Sequence, residues 1–252
     1  MKDTRLTLLA LLASAVMVIV TLVRGAHGTS ADATELVSEP KVVAAQPAPV
    51  LQRGGDFARS GPGTFTYEGS QGPVLGAAGN VRRFHIAVEE NLTEEIDEFA
   101  RTVDTVLGDP RGWTASGQLR FQRVPEGTPA DFTLHLVTRE TAYQMCRTAG
   151  LDVRVDGVSF TSCRLTHKVI INLDRWRLSV PDYVSSGVPL ETYRAYVINH
   201  EVGHELGRGH EACPATGQLA PTMAQQTLGL KGCTANPWPF VDGKRYAGPP
   251  VA

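Results

Sequence analysis

Three of the chain's seven histidines fall at positions 200, 204 and 210, in the stretch HEVGHELGRGH. A spacing of four residues puts His200 and His204 one turn apart on the same face of a helix. Tyr193, Tyr196 and Val197 extend that face toward the helix start, so residues 189–207 (PLETYRAYVINHEVGHELG) are expected to form one helix. Gly207 suits a left-handed stop that turns the chain and brings His210 back beside the other two imidazoles. Whatever fold this sequence adopts must carry that helix, that stop and that return.

Three neutral imidazoles leave a tetrahedral zinc ion one open position, and water there is acidified enough to become a nucleophile near neutral pH. Glu201, between the first two histidines, can face that water as a general base. The candidate site is therefore His200, His204 and His210 for Zn2+ and Glu201 for catalysis. Given the composition, the five residues of H-E-x-x-H-x-x-G-x-x-H should coincide by chance in roughly a few of 100,000 chains of this length. Glu205 is expected to face solvent. His85, His135 and His167 have no ligand-like partner nearby in the sequence. There is no P-loop, no G-x-S-x-G elbow and no dinucleotide-binding glycine pattern.

HEVGHELGRGH resembles the signature of the metzincin clan of zinc metallopeptidases. The resemblance implies a twisted mixed sheet, an active-site helix, hydrolysis of peptide bonds and a methionine turn near the metal. Met223, in APTM, is the one methionine downstream of the motif and takes that role. The segments NHEVGHELGRGHEACP, APTMAQQT and CTANPWP are further similar to a bacterial family of membrane-anchored or secreted domains, over roughly residues 81–239. Unlike several metzincin groups, the chain has no tyrosine soon after Met223. Gln225 or Gln226 stands there instead, with a role in the turn expected. The clan pairs extended substrate with an edge strand, which residues 169–173 or 153–160 could supply. Residues 174–177 (DRWR) could border the cleft or form a charged loop with one packed indole.

The hydrophobic pattern predicts an α/β (α+β) domain. Residues 81–90 alternate Phe84, Ile86 and Val88 with polar neighbours, as a half-buried strand does. Leu92, Ile96, Phe99, Val103, Val106 and Leu107 share one helical face, with Asn91 and Glu94 as a capping box and Gly108-Asp109-Pro110 as the stop. Strands at 119–124, 132–137 and 169–173 and a short helix at 142–148 complete the order. Residues 24–79, rich in Ala, Gly, Pro and Ser, are expected to be a flexible linker that could add a short strand at 64–67. The metzincin-like catalytic domain would then be residues 80–252. No cysteine lies in residues 25–79, which excludes a cysteine latch on the metal from that stretch.

Residues 6–23 (LTLLALLASAVMVIVTLV) are uncharged and apolar, which predicts a single-pass membrane anchor after a cytoplasmic tail of residues 1–5. A cleaved signal, with Ala31-Asp32-Ala33 as its site, is the alternative and would give a secreted protein. The remainder would lie outside the membrane. Cys146, Cys163, Cys213 and Cys233 contain no C-x-x-C pair and fit disulfides in an oxidising compartment, with sequential pairing expected. A formal charge of -2 with scattered basic residues argues against nucleic acid as a partner. The expectation is a zinc metalloendopeptidase acting on protein or on cell-wall peptide. The alternatives are a zinc-stabilised scaffold domain without turnover and a hydrolase of non-peptide amides.

Overall fold

The computed structural model describes residues 48–251. In chain order they form strands β1 (Phe65–Tyr67), β2 (Val74–Leu75) and β3 (Asn80–Glu89), helix α1 (Ile96–Gly108), and strands β4 (Leu119–Arg123) and β5 (Phe132–Val137). Helix α2 (Arg139–Arg147), a small hairpin of β6 (Arg154–Val155) and β7 (Val158–Ser159), and strands β8 (Cys163–Leu165) and β9 (Lys168–Asn172) follow. Helices α3 (Leu173–Leu178), α4 (Pro181–Ser185) and α5 (Leu190–Glu205) precede a long irregular segment that ends in the hairpin of β10 (Phe240–Val241) and β11 (Lys244–Arg245).

The main sheet runs β2-β4-β3-β5-β9-β8, with β1 paired to the end of β3. Four central strands, β4, β3, β5 and β9, are parallel, and β2, β1 and β8 join them antiparallel. The domain is thus a mixed α/β structure. Alternation in the central strands sorts their residues between two layers. Phe84, Ile86, Val88, Leu134, Leu136, Val169 and Ile171 face a core shared with α1, α3 and α5. Val137 and Ile170 face a smaller cluster with α2 and the Cys146–Cys163 disulfide.

Several expectations need correction. The part of the presumed linker that is described, residues 48–79, is packed into the domain. Phe57 is buried between the guanidiniums of Arg59 and Arg177, 3.8 and 4.7 Å from its ring, and β1 and β2 join the sheet. Glu68 pairs with the buried Arg123, which also meets Asp104 at 3.0 Å. The described residues from 48 on therefore form one compact unit. The capping box at Asn91 and Glu94 is not formed. Asn91 sits in a left-handed turn (φ 68°), Glu94 pairs with Arg177, and α1 begins after Glu95 without a side-chain cap. Residues 174–177 belong to α3, and Trp176 is packed edge-on against Phe99 at 5.0 Å, inside the core.

Residues 169–173 are an interior position of the sheet, between β5 and β8, and residues 153–160 form the separate β6–β7 hairpin. On that side of the sheet the edge strand is β8, and β2 is the edge at the other end. Both disulfides have the sequential pairing expected, Cys146 with Cys163 and Cys213 with Cys233. They fit an oxidising compartment. Among the described residues no helix is long and apolar enough to cross a membrane, and the run at 6–23 lies outside them.

Candidate metal centre

Helix α5 is buried almost all round, which explains why its hydrophobic residues mark no single stripe. It packs on β8, β9, α1 and α3. Its first free N–H, on Leu190, donates to the carbonyl of Val50 at 2.8 Å, so the N-terminal strap holds the helix start. At the other end Gly207 adopts φ 80°. Arg208 N–H bonds the Gly203 carbonyl at 2.9 Å and Gly207 N–H bonds the His204 carbonyl at 3.0 Å, the paired bonds of a Schellman stop. The chain then reverses and presents His210.

The three imidazoles converge. Nε2 of His204 lies 3.2 Å from Nε2 of His200 and 3.2 Å from Nε2 of His210. Around a tetrahedral zinc at about 2.0–2.1 Å, ligand nitrogens stand about 3.4 Å apart. The spacing matches. The tautomers fit as well: Nδ1–H of His200 donates to the Thr222 carbonyl at 2.9 Å, and Nδ1–H of His204 to the Arg208 carbonyl at 2.8 Å. These bonds leave the lone pairs on Nε2, where a cation would take them. Without one, neighbouring lone pairs would repel. Burial lowers all three imidazole pKa values, that of His200 to about 3, so the rings are neutral at physiological pH.

Glu201 lines the same cleft, is buried, and has Oε2 without a hydrogen-bond partner among the described residues. Burial raises its carboxyl to about 8. A nearby cation would pull that value down toward the range useful for proton transfer near neutral pH.

Met223 lies in a tight turn in which Ala224 N–H bonds the Pro221 carbonyl at 2.9 Å. It is fully buried against α5 at Gly203. This turn braces two histidines. The Thr222 carbonyl receives His200, and the Met223 carbonyl receives Glu211 N–H at 3.0 Å, one residue beyond His210. Behind it Gln226 is wholly buried, accepting from Tyr183 Oη at 2.6 Å and donating to the carbonyls of Pro221 and Asn236. Gln226 is therefore structural. Gln225 instead is exposed and lines the cleft.

The cleft measures about 610 Å³ and runs between Thr161–Arg164, at and before β8, and the segment after Met223. A model of the family described as "Protein of unknown function (DUF3152)" matches residues 51–241. The chain belongs to this family. No curated protein and no solved structure matches it. The match begins at Leu51, one residue after the Val50 carbonyl that holds α5, so it takes in the packed segment from Leu51 to β1.

Three contributors to this DUF3152 site were not legible beforehand. Gly203 permits close contact with Met223 and Trp113, a role hinted at by a glycine inside a helix, where it costs stability. The Thr222 carbonyl carries no side-chain signal. Glu205, expected to face solvent, is buried and accepts from Arg164 Nε at 2.7 Å. It thereby ties helix α5 to the edge strand β8.

Proposed function

We propose that this domain is a metzincin-like zinc metallopeptidase that cuts peptide bonds in a protein or peptide substrate outside the membrane. The observation that carries this reading is the convergence of three neutral Nε2 atoms beside a buried carboxylate that has an unpartnered oxygen. A purely structural zinc site has no use for such a carboxylate, and a closed fourth ligand is missing from the cluster among the described residues.

His200, His204 and His210 would hold zinc, which when bound supplies a Lewis acid that polarises a carbonyl and acidifies water. The carboxylate of Glu201 takes up a proton and returns it to the leaving amine. Thr222 and Arg208 carbonyls fix the imidazole orientations. The edge of β8 offers backbone groups to an extended peptide, and residues 161–164 line the cleft for it. The exposed Gln225, which lines the cleft, offers a side-chain amide donor for an oxyanion in place of the missing tyrosine. The disulfides and the apolar run at residues 6–23 favour an extracytoplasmic domain held by a membrane anchor.

The test is incubation of the zinc-loaded protein with a diverse peptide mixture, read by mass spectrometry with and without a chelator. Cuts that vanish on zinc removal are expected. His204→Ala should weaken zinc binding itself, by about tenfold or more. Silence with zinc bound would instead favour the zinc-stabilised scaffold.

A further inference from the structure

The walls of the cleft carry guanidinium groups that the hydrolytic reading does not use. Arg164 projects from β8, and its Nε is held by Glu205 at 2.7 Å, while no acceptor among the described residues engages its terminal nitrogens. Glu205 is only 2% exposed at its side chain, so this anchor is rigid. Across the site, Arg208 lies in the loop between His204 and His210. Its backbone carbonyl is fixed by His204, and its exposed side chain has no carboxylate partner among the described residues. Both arginines line the same space as Glu201 and the imidazoles.

The acidic groups around the cleft are each assigned to a partner or to the proposed chemistry, which leaves guanidinium donors free. Glu205 pairs with Arg164 at 2.7 Å, while Arg82, 3.7 Å from Glu205, has a closer partner in Asp131 at 3.0 Å. Asp152, the other acidic group on the cleft wall besides Glu201, is occupied by two bonds from Arg154 at 2.9 Å. Arg208 thus has no carboxylate partner among the described residues, and Arg164, paired to Glu205 through Nε alone, keeps its terminal nitrogens for a ligand. Planar guanidinium groups recognise carboxylates through paired, charge-assisted hydrogen bonds. A guanidinium already oriented by a buried partner gives up less freedom on binding.

We infer that the cleft selects peptides carrying a carboxylate close to the bond to be cut, received by Arg164 and Arg208. This rests on the peptidase reading and names its substrate class. The carboxylate can belong to an Asp or Glu side chain or to the peptide's own C-terminus.

The test uses the full, zinc-loaded chain and matched peptides: Glu or Asp against Gln or Asn, each with a free or an amidated C-terminus. The wild type should cut carboxylate-bearing members about tenfold or more faster than their amide partners. That ratio should fall toward one in Arg208→Ala and in Arg164→Gln. A preference that follows the side-chain swap assigns the carboxylate to Asp or Glu, and one that follows amidation assigns it to the C-terminus. A wild-type ratio near one, or an undiminished ratio in both variants, would overturn the inference while leaving the peptidase reading intact. Retention of the same peptides on immobilised, zinc-loaded Glu201→Gln protein reads recognition without turnover. If no peptide is cut, the peptidase reading fails; equal retention of acid and amide forms then overturns this inference too, and retention of the acid forms that is lost on adding Arg208→Ala supports it.

Discussion

Gly203 and Met223 are packed so closely that a methyl group on Gly203 would overlap Sδ of Met223 and come within 2.7 Å of Cζ2 of Trp113. Gly203 sits between Glu201 and His204, so the contact sets the depth at which the candidate metal helix lies on the methionine turn. Helix propensity alone would make Gly203→Ala stabilising by about 0.5–1 kcal/mol. Overpacking typically costs about 1–3 kcal/mol. We expect the second effect to win, with a net loss of roughly 1–2 kcal/mol in urea unfolding and weaker zinc binding. A Gly203→Ala protein more stable than the wild type would refute the packing account.

His135, in the centre of β5, is buried, and its imidazole is pushed down to about 4, first by burial and then by Lys168. An unfolded chain takes up a proton near 6.5 that the folded one refuses until about 4. Stability from this residue is therefore complete above about pH 6.5 and is lost as the pH falls toward 4. At pH 4.5 the wild type should have lost on the order of 2–3 kcal/mol through it. In His135→Phe that part of the acid sensitivity should vanish. Parallel pH curves for the two proteins in denaturant unfolding would contradict the assignment.

Cys163 lies on β8, the strand that forms one wall of the cleft, and its disulfide to Cys146 fastens that strand to α2. The closed loop spans 17 residues, for which chain entropy predicts about 3 kcal/mol. Cys146→Ser/Cys163→Ser should lower unfolding stability by about 2–4 kcal/mol and raise KM more than it lowers kcat, because the strand that would meet substrate is loosened. A variant with wild-type Tm and KM would show that β8 needs no such fastening.

The parts of this fold that could be read in advance are those written in periodicity or in motif spacing. The alternation of Phe84, Ile86 and Val88 marked β3, the spacing of Phe99, Val103, Val106 and Leu107 marked α1, and the histidine spacing marked α5 and its stop. Residues 48–64 gave no such signal, because they are held by isolated backbone bonds such as Arg53 to Arg177 and Leu190 to Val50, and by the single anchor Phe57. Strand β8 is three residues long, too short for a pattern. The burial of Glu205 depends on Arg82 and Arg164, which are remote in sequence and arrive beside it only through the sheet order. Asn91 favours a cap in general, but the turn after β3 uses its tolerance of positive φ instead.

The role given to Glu201 is the centre of the functional proposal, and substitution by glutamine keeps its shape while removing the proton acceptor. The most direct measurement is kcat/KM of Glu201→Gln against wild type on a cleaved peptide, with zinc content determined in the same samples. Turnover reduced by about 100- to 10,000-fold at equal zinc occupancy is the predicted result. Turnover within a few-fold of wild type, with zinc retained, would contradict it.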